Sequence, residues 1–154
     1  MIDVYAELKE IINALAENNI EYAVCGGWAM AIYGVPRATI DIDLLVLAES
    51  LDDVFRVAKA RDYRLKAEPM SFKDGQIEIR RISKIDNQTN FVLTLDCLIV
   101  TPKLKEIWQT RLTLPLENGT VSVVSREGLI KLKTLSGRTQ DLADIEKLRE
   151  MNES

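Results

Sequence analysis

Thr39-Ile40-Asp41-Ile42-Asp43-Leu44-Leu45-Val46-Leu47 sets two aspartates, one residue apart, inside an otherwise apolar run. The run reads as a strand, and residues two apart on a strand point to the same side. Thr39, Asp41 and Asp43 then share one face, while Ile40, Ile42, Leu44 and Val46 line the other. Two like charges held beside a core are unfavourable unless a cation neutralises them. Hard divalent ions such as Mg²⁺ take oxygen ligands and are bound through carboxylates together with substrate phosphates. The Asp41–Asp43 pair therefore reads as a metal site.

Upstream, Ile20 to Cys25 reads as a strand, and Gly26-Gly27 opens a short helix through Tyr33 that Gly34 and Pro36 end. Glycines at a helix start let the backbone approach a phosphate closely and offer free N–H groups to an anion. A tight strand-to-helix turn would use Gly-Gly as well; the aspartate pair downstream favours triphosphate binding by Gly26 and Gly27. Arg37 lies in the connection into the aspartate strand, where its guanidinium suits bidentate contact with a triphosphate. Thr39, on the aspartate face, suits a phosphate contact or an ordered water. Trp28 reads as core packing.

Elsewhere the pattern alternates between helix and strand. Asp3 caps a first helix carrying Val4, Leu8, Ile11, Ile12 and Leu15 to about Ala16. Ser50 caps a helix with Leu51, Val54, Phe55 and Ala58, and Asp52 and Asp53 sit in its first turn. From Asp62 to Asp86 the pattern is poor, apart from a strand at Gln76–Ile82 after a Lys73-Asp74-Gly75 turn, and Lys84 to Asn90 reads as a loop. Phe91–Val100 is a further buried strand, with Asp96 at its middle on the face of Val92, Thr94 and Leu98. A carboxylate there is costly without a partner. A helix from Pro102 to about Trp108, a hairpin turning at Glu117-Asn118-Gly119, and helices from Ser125 to Gly137 and Thr139 to about Met151 complete the chain. The expectation is one mixed α/β domain over residues 1–154, a small sheet with helices packed beside it.

Composition narrows the chemistry. Hydrophobic residues make up 47% and charged residues 29%, the balance of a globular protein. No apolar stretch approaches the roughly 20 residues that span a bilayer, and the N-terminus lacks a signal-peptide pattern, so a cytoplasmic location without membrane contact is expected. Net charge is −4 from 20 Lys and Arg against 24 Asp and Glu, which argues against binding long nucleic acid. Histidine is absent, which removes His-based triads and His-ligated zinc and leaves acid–base work to carboxylates, lysine or water. Cys25 and Cys97 read as small core residues rather than a disulfide.

The segment from Tyr22 to Val46 resembles the first motif of the DNA polymerase β-like nucleotidyltransferases: strand, Gly-Gly, short helix, then Asp-x-Asp on the next strand. The resemblance implies a nucleotidyltransferase fold in which a third carboxylate on a neighbouring strand completes a metal cluster, and Asp96 matches that position. It implies Mg²⁺ as cofactor, with Mn²⁺ able to substitute, and two-metal phosphoryl transfer from an NTP with ions about 3.5–4 Å apart. Asp41, Asp43 and Asp96 would be the metal ligands and catalytic residues, Asp96 also accepting the acceptor's proton.

The stretch Leu129 to Leu148 is similar to a later motif of abortive-infection (AbiEii-like) nucleotidyltransferases, in which a helix lysine, Gly-Arg and Lys-Asp-x-x-Asp return to the site. Lys133, Arg138, Asp141 and Asp144 fit it, and Gln140 stands where that family often has lysine. Lys133 would be a phosphate ligand, Arg138 and Asp141 accessory residues, and Asp144 structural; Leu129, Leu132, Leu135, Leu142, Ile145 and Leu148 would pack the two helices. Trp108 and Arg111 match a Trp-x-x-Arg of the same relatives and read as structural. This resemblance implies a toxin-like enzyme acting on an RNA end or a protein, with a cognate antitoxin as partner. Two alternatives stay open. One is an antibiotic-modifying enzyme of lincosamide or aminoglycoside type, although Thr39 stands where those carry histidine. The other is a non-catalytic nucleotide-binding or antitoxin-like module with the same fold.

Overall fold

The computed structural model describes residues 3–36 and 38–152. In chain order these form α1 (Val4–Glu17), β1 (Ala23–Cys25), α2 (Gly26–Ile32), β2 (Asp41–Val46), α3 (Leu51–Lys59), β3 (Leu65–Lys66), β4 (Met70–Phe72), β5 (Ile77–Ile85), β6 (Val92–Ile99), α4 (Lys105–Gln109), β7 (Leu112–Leu116), β8 (Gly119–Val123), α5 (Arg126–Ser136) and α6 (Thr139–Asn152). The strands make one mixed sheet in the order β3-β5-β6-β2-β1-β8-β7, with β4 added alongside β5. β2 and β6 run parallel, as do β1 and β8; the other neighbours are antiparallel.

The pleat gives the two faces of the sheet opposite characters. Ile42 and Leu44 on β2, Leu93, Leu95 and Cys97 on β6, and Ile82 on β5 are fully buried on the face away from the aspartates. Lys84, on that same face of β5, pairs with Glu7 of α1 and lies 4.9 Å from the centre of the Tyr63 ring. α1 and the end of α3 therefore cover the rear of the sheet. On the front, Leu129, Leu132 and Lys133 of α5 line a cavity with the aspartates.

Local chemistry accounts for the helix ends. The Asp3 carboxylate accepts from the Ala6 amide at 3.1 Å, and Leu8, Ile11, Ile12 and Leu15 form the buried stripe of α1. Ser125 Oγ accepts from the Gly128 amide at 2.9 Å, and α5 ends at Gly137 in the left-handed region at φ 68°.

Several expectations are corrected. β1 has three residues, Ala23–Cys25, so Ile20 to Tyr22 only lead into it. β2 starts at Asp41, and Ile40, ahead of the strand, is 54% exposed. Ser50 stands at the N-cap of α3 without a side-chain capping bond, because a 3₁₀ turn at Ala48–Ser50 precedes the helix and gives Ser50 helical dihedrals. Pro102–Leu104 is likewise 3₁₀, with α4 following. β5 continues through Ile85, where a loop was expected from Lys84, and the poorly patterned region also holds β3 and β4. In the β7–β8 hairpin Leu116 faces Gly119, so Glu117 and Asn118 make the turn, and Glu117 takes the positive φ of 49°. Leu142 is 60% exposed, whereas Leu129, Leu132, Ile145 and Leu148 are buried. Cys25 and Cys97 are buried free thiols, as expected. Among the described residues, no helix is long and apolar enough to cross a membrane.

Gly26 has φ 65°, and a Cβ built there would lie 2.1 Å from Asp43 Oδ2. A Cβ on Gly27 would lie 2.9 Å from Thr39 Oγ1. The two glycines thus clear the space that lets the Asp43 and Thr39 side chains pack against the strand-to-helix turn. Gly26→Ala adds both a steric clash and a disfavoured φ, and is expected to cost about 3 kcal/mol in chemical denaturation. The cost should shrink when Asp43→Ala is already present, since the clashing carboxylate is gone; an equal cost in both backgrounds would contradict this packing.

Candidate active site

Strand register assembles the front-face site. Cys25 on β1 lies opposite Asp43 on β2, Asp43 opposite Asp96 on β6, and Asp96 opposite Arg81 on β5. Opposed residues project to the same face, so a thiol, two carboxylates and a guanidinium form one row across the sheet. Two residues along, Asp41 faces Thr94, which faces Ser83, and the hydroxyls of Ser83 and Thr94 lie 3.2 Å apart. All three aspartates, together with Cys25, Gly26, Lys133, Arg138 and Asp141, line a cavity of about 530 Å³.

Arg81 was not singled out from the sequence. Its Nε donates to Asp96 Oδ1 at 2.7 Å and its Nη2 to Asp96 Oδ2 at 3.0 Å, a bidentate pair. This partner answers the cost of burying Asp96, which is only 6% exposed. Asp41 and Asp43 differ: no described residue donates a hydrogen bond to either side chain. Burial, then repulsion from Asp96 and Asp41, pushes the Asp43 carboxyl up to about 7, against weaker opposing effects of Arg138 and Arg81. Burial and Asp96 also raise Asp41, with Arg81 opposing. Cys25 lines the cavity as a neutral thiol, because burial and the adjacent Asp43 carboxylate push it well above its ordinary value.

Among the described residues, no three acidic, cysteine or histidine side chains converge in an arrangement that could hold a metal ion. The Arg81 guanidinium takes both Asp96 oxygens, so the cluster expected from Asp41, Asp43 and Asp96 is divided. Asp41 and Asp43 are hard oxygen donors, raised above their ordinary values and without donors of their own, and they fit a divalent cation. Asp96 could join them through the lone pairs that Arg81 leaves free on its two oxygens.

Lys133 is 7% exposed; its Nζ donates to Asp144 Oδ2 at 2.8 Å and lies 3.6 Å from Asp141 Oδ1. Its charge is thus already answered inside the protein. Gln140 Nε2 donates to the other Asp144 oxygen at 3.0 Å, which gives the residue standing in the lysine position a structural task. Asp141, three residues after Arg138, accepts from the Arg138 amide at 3.1 Å and from Nε at 2.9 Å, capping α6. Burial would raise the Asp141 carboxyl, but hydrogen bonds from Arg138, Ser136 and the backbone together hold it below its ordinary value. Thr39 donates to the Asp41 carbonyl at 3.2 Å. Arg37 lies outside the described residues. Trp28 packs against Tyr5, and Trp108 is a core residue with Arg111 over its ring at 3.8 Å.

Two predictions follow from these charges. An Asp43 carboxyl near 7 in the folded chain, against 3.8 ordinarily, means the folded state binds more protons between those values. Stability of the metal-free protein therefore falls as pH rises through that window. Thermal melts should show Tm decreasing from pH 5 to pH 8, and Asp43→Asn should remove most of that decrease; an unchanged slope would contradict the assignment. Lys133→Met removes the cation 2.8 Å from the buried Asp144 carboxylate, with an expected loss of about 3–5 kcal/mol. Lys133→Met with Asp144→Leu should recover part of it in urea unfolding.

No protein-family model matches the sequence, and no curated protein matches it. Solved structures do. A nucleotidyltransferase candidate from Thermotoga maritima (TM1012) superposes with a TM-score of 0.63 at 17% identity, over 97% of this chain and 93% of that one. ANT(2'')-Ia in complex with adenylyl-2''-tobramycin gives 0.62 at 16%, over 95% and 92%. The lincosamide antibiotic adenylyltransferase LnuA with lincomycin bound gives 0.61 at 15%, over 95% and 96%. The chain has the nucleotidyltransferase fold, a mixed α/β sheet with helices packed beside it.

Proposed function

We propose that the protein is a Mg²⁺-dependent nucleotidyltransferase that moves a nucleoside monophosphate from an NTP to an acceptor hydroxyl. The observation that carries this reading is the in-register placement of Asp43 beside Asp96, with Asp41 on the same cavity face, in a chain of this fold. Asp41 and Asp43 would hold the cation, which when bound neutralises phosphate charge and lowers the pKa of a coordinated hydroxyl. Gly26 and Arg138, which line the cavity, are assigned to the nucleotide, and the sequence motif adds Gly27, Thr39 and Arg37, the last outside the described residues. Lys133 fixes α6 through its ion pairs with Asp144 and Asp141.

The acceptor oxygen forms a bond to the α-phosphorus while the bond to pyrophosphate breaks, and the hydroxyl proton leaves to a carboxylate or water. Asp96, oriented by both Arg81 hydrogen bonds, is the carboxylate assigned to take it. Each Asp96 oxygen keeps a lone pair that Arg81 does not occupy, so Arg81 orients the carboxylate as a positioning residue while the proton is taken. The intact aspartates weigh against a non-catalytic module.

Two acceptor classes were considered: a macromolecular end, with a toxin role and an antitoxin partner, and a small molecule. The likeness to ANT(2'')-Ia and LnuA, whose complexes contain adenylyl-tobramycin and lincomycin, favours the small molecule. The test incubates the protein with each α-³²P NTP, Mg²⁺, and extracts containing RNA, protein and small molecules. Label transfer with pyrophosphate release is expected from wild type. Asp41→Ala and Asp43→Ala should each lose about 10²–10³-fold, the size typical of removing a group that stabilises transition-state charge. Orthophosphate release, or transfer that survives in both variants or in excess chelator, would overturn the reading.

A further inference from the structure

The cavity has two unlike walls. Gly26, Lys133, Arg138 and Asp141 stand on one side, and the β4–β5 hairpin stands on the other. Asp41, Asp43 and Asp96 lie between them, because β2 and β6 fill the middle of the sheet between β5 and β1. Group transfer needs two occupants, one on each side of the reacting groups. In the nucleotidyltransferase reading, on which this inference rests, the donor nucleotide takes the helical wall and leaves the hairpin wall to the acceptor.

The hairpin wall has a definite chemistry. Met70 faces Ile79, Phe72 faces Ile77, and Ile79 faces Leu98, so these apolar side chains share the face that carries Arg81 and Asp96. All of them line the cavity. Phe72 is 49% exposed, an aromatic face open to the cavity and continuous with this apolar row. The charged side chains that this hairpin turns to the cavity are cations, Lys73 in the turn and Arg81 on β5. The acid of β5, Glu78, alternates onto the opposite face and pairs with Arg80 at 3.4 Å. Lys73 forms no ion pair among the described residues and is exposed. Arg81 is taken up by Asp96, so Lys73 is the cation this wall offers a ligand.

We propose that the hairpin wall is the acceptor subsite and that it takes a small aromatic anion: a planar apolar body resting on Phe72, Ile77 and Met70, with an acidic group toward Lys73. A polycationic amino sugar is disfavoured at this wall by Lys73. This separates the chain from ANT(2'')-Ia, whose complex contains adenylyl-tobramycin, in acceptor class while retaining its fold.

The test uses 8-anilinonaphthalene-1-sulfonate, an aromatic sulfonate whose fluorescence rises on binding, titrated into the folded protein without nucleotide. Saturable binding is expected, and Phe72→Ser and Lys73→Glu should each weaken it by roughly tenfold. Both residues are exposed, so melting curves of the variants should match wild type, which keeps the comparison interpretable. Tobramycin should not displace the probe. Equal affinity in wild type and both variants, or displacement by tobramycin, would overturn the subsite. Because the readout needs no turnover, it is separable from the nucleotidyltransferase reading. An active enzyme with variant-insensitive probe binding sinks this inference alone, whereas variant-sensitive binding in a protein without transfer activity sinks the reading and leaves the anion site.

Discussion

Placing two carboxylates directly opposite each other on neighbouring parallel strands is the constraint around which this structure is arranged. Asp43 and Asp96 are aligned by the β2–β6 register, and Asp41 adds a third negative group on the same face. Like charges at that spacing, beside a buried layer, repel and oppose folding in the ionised form. The structure answers the problem unequally. Asp96 receives a bidentate guanidinium from the strand on its far side. Asp43 receives no such donor among the described residues, and its carboxyl stands near 7. The asymmetry leaves one carboxylate oriented and the other seeking a proton or a cation, which suits a site that fills with a charged substrate complex.

The surroundings follow from that choice. Gly26 and Gly27 are small because Asp43 and Thr39 press against the turn they form. The helical wall carries its own buried charges, but they are internally matched: Lys133 with Asp144 and Asp141, and Arg138 with Asp141. Cys25 stays neutral in the row because burial disfavours a thiolate and the Asp43 charge beside it adds to the repulsion. The centre of the front, on β2 and β6, is therefore polar and half-satisfied, while the rear is apolar around the Lys84–Glu7 pair and packed under α1 and α3.

Much of this was legible in the sequence where local pattern carries the information. Alternation of Asp41 and Asp43 with Ile42 and Leu44 fixes a strand with one polar face, and Gly26-Gly27 marks the turn before it. Capping at Asp3 and Ser125 reads directly, because the capping bond spans three residues. Arg81 was not legible, since its partnership with Asp96 depends on the β5–β6 register and not on any nearby residue. The β3 and β4 strands were missed because Leu65, Lys66, Ser71 and Phe72 are exposed, which erases the alternation that marks a half-buried strand. Leu142 was misplaced in the core because α6 buries Asp141 and Asp144 instead, an outcome supported by Lys133, Arg138 and Gln140. Lys133 lies at the cavity wall, and its ion pairs with the following helix could not be read from helical periodicity.

The central claim, that Asp41 and Asp43 form a cation-assisted nucleotide site, is tested most directly by calorimetry. Mg²⁺ together with α,β-methylene analogues of the four NTPs would be titrated at pH 7 in buffers of different ionisation enthalpy. A carboxyl near 7 must lose its proton when a cation binds. Mg²⁺-dependent binding with net proton release, absent in Asp43→Asn, is the predicted result. Binding that needs no Mg²⁺, or that leaves the proton count unchanged, would contradict it.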